Sequence, residues 1–280
     1  MLAKTPVHQI SGLHTQTAAF CTSFIFPTPF MSASQALVII PTYNESENIT
    51  AIINAVMALP SGFDLLIVDD NSPDGTAALV QALQPQYPTR LQLLQRPGKQ
   101  GLGTAYIHGF RQALSQGYAY IFEMDADFSH NPQDLEALYQ ACAHEGFDVA
   151  IGSRYITGVN VVNWPMGRVL MSYFASYYVR LITGMPIRDT TAGFKCYRAE
   201  VLRTIDLSNI RFVGYAFQIE MKFLAWKHGF KLKEVPIIFT DRSKGQSKMS
   251  SGIFKEALWG VIAIKLRSLF RRYQEASQQS

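Results

Sequence analysis

A rhythm constrains this chain more than any single motif. From residue 36 onward, short apolar runs recur, each followed by a polar turn and then by a stretch of helical periodicity. The first run, Ala36-Leu37-Val38-Ile39-Ile40, has no polar interruption, which suits a strand buried on both faces. Comparable runs lie at 65–68, 91–94, 120–124 and 149–151. Helices are expected between them: one opening near Asn44 with Glu47 three residues on, as in a capping box, one after Asp74 and Gly75, one over 104–116 and one after Pro132. Strands alternating with helices imply an α/β chain with a largely parallel sheet and right-handed crossovers. Beyond residue 152 the alternation weakens. A helix rich in aromatic residues is expected over 166–183, a strand at 194–197, and a helix over 217–228. The run 232–239 is strand-like, with Pro236 marking an edge or a bulge. The aromatics from Tyr173 to Tyr178 read as core in preference to binding surface.

The apolar content of 48% excludes a disordered chain. A net charge of +4 is too mild to argue for nucleic acid, and no such partner is expected; it is compatible with phosphate ligands or an anionic membrane surface. Cys21, Cys142 and Cys196 are odd in number and far apart, so neither a disulfide framework nor a zinc site is indicated, and a reducing, cytoplasmic setting is expected. No run of about 18 apolar residues exists. The nearest, 253–270, is interrupted by Lys255, Glu256, Lys265 and Arg267. Residues 1–35 read as a disordered extension or a mis-assigned start, with Met31 as the natural beginning; a signal peptide with Lys4 as its n-region is the alternative. The main domain is expected over 36–250, and a C-terminal amphipathic helix and tail over 251–280.

Ligands of open parallel sheets bind beyond the carboxyl ends of the strands. Three such ends are acidic here: Pro41-Thr42-Tyr43-Asn44-Glu45, Asp69-Asp70-Asn71-Ser72-Pro73-Asp74-Gly75 and Asp125-Ala126-Asp127. Asp69, Asp74 and Glu47 read most simply as turn and cap residues. Asp125 and Asp127 put two carboxylates at a strand exit, the oxygen set that Mg²⁺ or Mn²⁺ takes when it shares its shell with substrate phosphates. Arg154, Lys195 and the polar loop containing Arg242, Lys244 and Lys248 are the candidate phosphate binders, and the glycine and serines of that loop suit a closing lid.

Other patterns fail on inspection. Gly98-Lys99-Gln100-Gly101-Leu102-Gly103 is followed by Thr104 where a phosphate-binding P-loop needs lysine. His108 and His130 have the chemistry of general bases, yet no serine or cysteine nucleophile pattern accompanies them.

Taken together, residues 38–45, 68–75, 101–106, 124–130 and 152–155, with Arg242 and Lys248, resemble dolichyl-phosphate (polyprenol-monophosphate) mannosyltransferases of glycosyltransferase family 2. The resemblance runs unbroken over roughly residues 36–265. It implies a single catalytic domain of GT-A type, Rossmann-like, with helices flanking a mostly parallel sheet. It also implies transfer of mannose from GDP-mannose to a dolichyl or polyprenyl phosphate, with inversion and with a divalent metal. By the same resemblance Pro41, Tyr43, Glu45, Val68 and Asp70 hold the nucleotide, and Asp125, Ala126 and Asp127 form the metal–diphosphate site. Arg154, Arg242 and Lys248 contact the donor and acceptor phosphates, and Lys195 sits where relatives carry a basic residue. Some relatives place a glutamine ligand where this chain has Ser129. Asp125, Asp127 and Arg154 are the expected catalytic residues.

A lipid acceptor requires contact with a membrane, at its cytosolic face and without a transmembrane helix. The helix from Ile253 onward, or a membrane-embedded partner subunit, would supply it; equally, that helix packs on the domain. Two rivals stand beside this reading. One is a family-2 transferase using another donor, such as UDP-glucose; the other is a non-catalytic sugar-nucleotide binding protein.

Overall fold

The structure is a computed structural model that describes residues 1–2, 34–241, 251–270 and 273. Residues 3–33 of the expected extension, and the loop holding Arg242 and Lys248, lie outside the described residues. The unit that carries the elements below is Ala33–Ser280.

The expected alternation runs β1 (Ala36–Thr42), α1 (Ile49–Met57), β2 (Asp64–Asp69), α2 (Thr76–Leu83), β3 (Leu91–Gln95), α3 (Leu102–Ser115), β4 (Tyr120–Glu123), α4 (Asp134–Ala143) and β5 (Val149–Ser153). Then follow β6 (Val161–Val162), α5 (Met166–Thr183), β7 (Lys195–Arg198), α6 (Ala199–Thr204), α7 (Tyr215–Lys227), β8 (Leu232–Pro236), β9 (Phe239–Thr240) and α8 (Ser251–Ser268). The main sheet has seven strands in the order β3-β2-β1-β4-β7-β5-β8. It is parallel except for β7, which is antiparallel to both β4 and β5. The 232–239 run divides at Pro236, which has no N–H for a ladder: β8 joins the main sheet, and β9 pairs with β6 in a two-stranded ribbon.

The uninterrupted apolar character of β1 is explained by its position inside the sheet. Leu37 and Ile39 face a core shared with Tyr106 and Phe110 of α3 and with Phe217 of α7. Val38 and Ile40 face a second core with Ile52 and Ile53 of α1 and Leu135 of α4. All four strand residues are 0% exposed, each side chain contributing about 1.5–3 kcal/mol of burial. Alternate residues point to opposite faces, so a strand covered on both sides must be apolar throughout.

Two expectations are corrected here. The capping box at Asn44 is absent: α1 starts after Asn48 with no side-chain cap, and Asn44 has φ +55. The loop after β2 takes over the free amides, since Asn44 N donates to Ser72 Oγ, Glu45 N to Thr76 Oγ1 and Ser46 N to an Asp74 carboxylate oxygen. Of the aromatics of α5, Tyr178 packs against the core, but the other three do not. Tyr173, Phe174 and Tyr177 are 46%, 62% and 54% exposed.

Candidate active site

Strand direction explains why the candidate residues meet. β1, β2 and β4 are adjacent and parallel, so Glu45, Asp70 and Asp125 leave the sheet at one edge. β5 points the same way, because the antiparallel β7 separates it from β4, and Arg154 follows its last residue. β7 runs the other way and begins at this edge with Lys195.

The β1–β2 part of the edge is stitched by short polar side chains. Asp69 accepts from Thr42 Oγ1 at 2.9 Å and from Ser72 N and Oγ at 2.9 and 2.6 Å. Asp74 accepts from Thr76 N and Oγ1 and from Ser46 N; burial pushes its carboxyl up, but these bonds prevail and hold it at about 2. Both therefore act as turn residues. Asp70 is different. It pairs with Arg96 Nε at 2.6 Å, and Arg96 Nη1 donates to Thr104 Oγ1 at 2.8 Å, tying the end of β2 to the start of α3. Lys99 of the intervening loop lies 5.0 Å from the centre of the Tyr43 ring. Pro41 and Glu45 are half-buried beside it, and Glu45 accepts from Asn48 Nδ2. Val68 is 0% exposed, its side chain in the core, which leaves only its backbone for a ligand. Arg96 was not anticipated, although the rule used for the other strands, applied to the exit of β3, points to it.

At the β4 exit, Asp125 is 41% exposed on its side chain, whereas Asp127 is buried and accepts from Ser129 N at 3.1 Å. Ala126, between them, is buried. His130 stacks on Phe194 with ring centres 4.8 Å apart, and its Nδ1 lies 3.9 Å from Asp125 Oδ2. Burial pushes this imidazole down to about 4 against the opposing pull of Asp127, so it is neutral at physiological pH. Ser129 Oγ and His130 Nδ1 are buried and find no hydrogen-bond partner among the described residues. Among the described residues no group of three or more His, Cys, Asp or Glu converges as a protein-only metal cage. Two carboxylates with spare polar capacity beside them fit a hard divalent cation that completes its shell from phosphate oxygens and water.

Arg154 is held by Asp189, which is 0% exposed. Arg154 Nε donates to Asp189 Oδ2 at 2.7 Å and Nη2 to Oδ1 at 2.6 Å, and Nη2 reaches Thr191 Oγ1 at 2.9 Å. Burial alone would push the Asp189 carboxyl up; the guanidinium holds it below the ordinary carboxylate range. The rings of Tyr155, Trp164 and Phe239 lie 5.3–5.5 Å from the guanidinium carbon. Arg168, from the first turn of α5, packs on Trp164 at 4.1 Å and pairs with Asp241 at 2.9 Å.

Lys195 does not sit as expected. It is 0% exposed, with Nζ donating to Glu123 Oε2 at 3.0 Å and to Gln218 Oε1. Glu123 also accepts from Tyr197 Oη and Gln218 Nε2. Burial pushes the ammonium down, and Glu123 opposes that shift. The reason is register: β4 and β7 place Glu123 directly opposite Lys195, and two buried opposite charges must pair. Nothing local in the sequence announces Asp189, Gln218 or Arg168, because their partners are remote in the chain.

A cavity of about 450 Å³ lies against this edge. Asp125, His130, Arg154 and Arg168 are among the residues that line it, as are Met171, Phe174 and Tyr178 of α5 and Leu258 and Val261 of α8. It thus has both charged and apolar walls, the apolar lining including side chains of α5 and α8.

The sequence matches the family model of Glycosyl transferase family 2 over residues 37–206, more than half of the chain. The chain belongs to glycosyltransferase family 2. It is 45% identical over 240 residues to polyprenol monophosphomannose synthase of Mycolicibacterium smegmatis, covering 84% of this chain and 90% of that protein. It is 43% identical over 234 residues to undecaprenyl-phosphate mannosyltransferase of Micrococcus luteus, covering 82% of this chain and 95% of that one. Among solved structures, glucosyl-3-phosphoglycerate synthase from Mycobacterium tuberculosis in complex with Mn²⁺, uridine diphosphate and glucosyl-3-phosphoglycerate is similar in fold. Its TM-score is 0.59, its identity 17%, and the match covers 83% of this chain and 78% of that one. The fold is of GT-A type, and this glycosyltransferase is an enzyme. No helix among the described residues is long and apolar enough to cross a membrane.

Proposed function

We propose that this enzyme transfers mannose from GDP-mannose to a polyprenyl phosphate, inverting the anomeric carbon. The cavity carries the reading: the carboxylate of Asp125, the guanidinium groups of Arg154 and Arg168, and a largely apolar lining share one space. The first feature suits a metal-bound nucleoside diphosphate, the second an acceptor anion, and the third a hydrocarbon chain. The two relatives above are named for products and acceptors of this class.

Asp125 and Asp127 would hold Mg²⁺ or Mn²⁺; the similar fold above was crystallised with Mn²⁺ and a nucleoside diphosphate. When bound, the ion neutralises charge on the departing diphosphate. Tyr43, Glu45 and Asp70, with Pro41 and the backbone at Val68, would hold base and ribose. Arg154, fixed by Asp189, would orient the acceptor phosphate and offset the repulsion between two anions. Arg242 and Lys248, outside the described residues, would join it. An alcohol acceptor needs a base to take its proton, whereas a lipid phosphate is already an anion near neutral pH and attacks directly. The neutral His130 imidazole is therefore not needed as a base. The reaction is proposed at the cytosolic face of a membrane.

The test is sugar transfer to a defined polyprenyl phosphate with GDP-mannose, UDP-glucose and UDP-GlcNAc offered separately, together with Asp127→Ala. GDP-mannose is expected to be the productive donor, and the variant to lose metal-dependent turnover by about 10²-fold or more. Transfer from UDP-glucose alone would replace the donor assignment, and undiminished turnover in the variant would sink the metal site.

A further inference from the structure

Two of the cations around the segment from Asp189 to Lys195 are paired and one is not. Arg154 pairs with Asp189, and Lys195 pairs with Glu123. Lys222 of α7 is 0% exposed, and among the described residues no carboxylate pairs with it. Its Nζ donates to Ala192 O at 2.6 Å, and Lys195 Nζ reaches the same carbonyl at 3.5 Å. A carbonyl accepts these bonds but does not neutralise an ammonium. Burial, and after it the neighbouring Lys195, push Lys222 well below the ordinary lysine range; Asp189 and Glu123 oppose that only in part. An ammonium buried without its own counter-charge is costly to the empty fold, whether it keeps its proton or gives it up. Packing alone does not require it, since a methionine of similar length would fill the same space.

What the ammonium holds supplies a reason for it. Thr191, Ala192 and Gly193 line the cavity, and so does Gln218, one turn before Lys222 on the same face of α7. In a planar trans peptide the carbonyl and the N–H point in opposite directions. The two lysines hold Ala192 O from the buried side, so the N–H of the same peptide, that of Gly193, points away from them. That amide has no acceptor among the described residues. Thr191 Oγ1 accepts from Arg154 Nη2 at 2.9 Å, so this wall adjoins the arginine. We propose that the Ala192–Gly193 peptide is a seat for a substrate phosphate, with its N–H toward the anion and Lys222 behind it as the buried counter-charge. Lys222 does not touch the phosphate. It is a positioning residue that polarises and aims the peptide and adds positive potential in a low-dielectric wall. The inference rests on the polyprenyl phosphate reading and deepens it. Proximity to Arg154 selects the acceptor phosphate; the donor diphosphate has the same chemistry and is separated from it by the test.

The test uses the full chain with Lys222→Met, which removes charge and bond together, and Lys222→Gln, which keeps a neutral N–H donor. Three quantities are measured: the denaturant unfolding midpoint, KM and kcat for a short, water-soluble polyprenyl phosphate, and calorimetric affinity for GDP with Mn²⁺. Both variants should unfold at the same midpoint as the unaltered protein or a higher one. Both should raise the acceptor KM about tenfold, with kcat and GDP affinity held. A purely structural lysine behaves otherwise: Lys222→Met lowers the midpoint, Lys222→Gln restores it, and substrate constants do not move. Acceptor KM and GDP affinity both unchanged in the two variants overturn the inference. GDP affinity about tenfold weaker with the acceptor KM held supports the seat and assigns it to the donor diphosphate. If the unaltered protein transfers nothing to polyprenyl phosphate, the acceptor reading fails, and inorganic phosphate still decides the seat. At constant ionic strength it should raise the midpoint of the unaltered protein more than that of either variant, and equal rises overturn the inference.

Discussion

Glu123 and Lys195 face each other across β4 and β7 with side chains 0% exposed. A buried pair of this kind adds little over an apolar pair, but losing one member strands the other charge. Lys195→Met leaves the Glu123 carboxylate with Tyr197 and Gln218 as its donors among the described residues. The expected cost is about 3–5 kcal/mol of stability, read from denaturant unfolding. Lys195→Met/Glu123→Gln should recover most of it, since no buried charge is then uncompensated. A lysine that served mainly to bind substrate phosphate would behave otherwise: KM would rise and the unfolding midpoint would stay. The measurement thus separates the buried-pair role from the phosphate-contact role expected of Lys195 from the sequence.

At the level of elements, the entry to α3 links core packing to the proposed nucleotide side of the site. Gly101 has φ +98, and a Cβ on Gly103 would stand 2.8 Å from the Phe217 ring, which is itself 0% exposed. Gly103→Ala must therefore shift α3 or Phe217, at about 1–3 kcal/mol, and it disturbs the Thr104 hydroxyl on which Arg96 is anchored. Calorimetric titration should show weaker GDP binding as well as a lower melting temperature; a stability loss with unchanged GDP affinity would separate the loop from the nucleotide site. The glycines of 101–103 were visible in the sequence, and so were the strands of the parallel half, because β1 and β2 are apolar on both faces and end in Asx-rich turns. The antiparallel insertion of β7 was not visible. Phe194-Lys195-Cys196-Tyr197 carries no mark of strand direction, and its lysine reads as surface until Glu123 is brought opposite. α5 misled for a related reason. Its periodicity reports an apolar stripe correctly, but periodicity cannot say whether that stripe faces protein or something outside it.

Across the whole molecule, the candidate site joins strand exits that are distant in sequence, so occupancy should be felt by the entire fold. A ligand that binds only the folded state stabilises it by about 2.7 kcal/mol at a hundredfold its dissociation constant. For a domain of this size that corresponds to a rise of about 5–10 °C in melting temperature. The two carboxylates at the β4 exit tie cation and diphosphate together: the diphosphate alone is repelled by them, and the cation alone finds too few protein ligands to be held tightly until phosphate oxygens complete its shell. The expectation is therefore a small shift with GDP alone in chelator-treated protein, a small shift with Mn²⁺ alone, and the full shift with both. Asp127→Ala should keep its own melting transition and lose the joint shift. If the variant responds like the unaltered protein, the β4 exit is not where metal and diphosphate meet. If UDP replaces GDP in producing the joint shift, the metal site stands, and the base recognised around Tyr43, Glu45 and the Asp70–Arg96 pair is uracil in place of guanine.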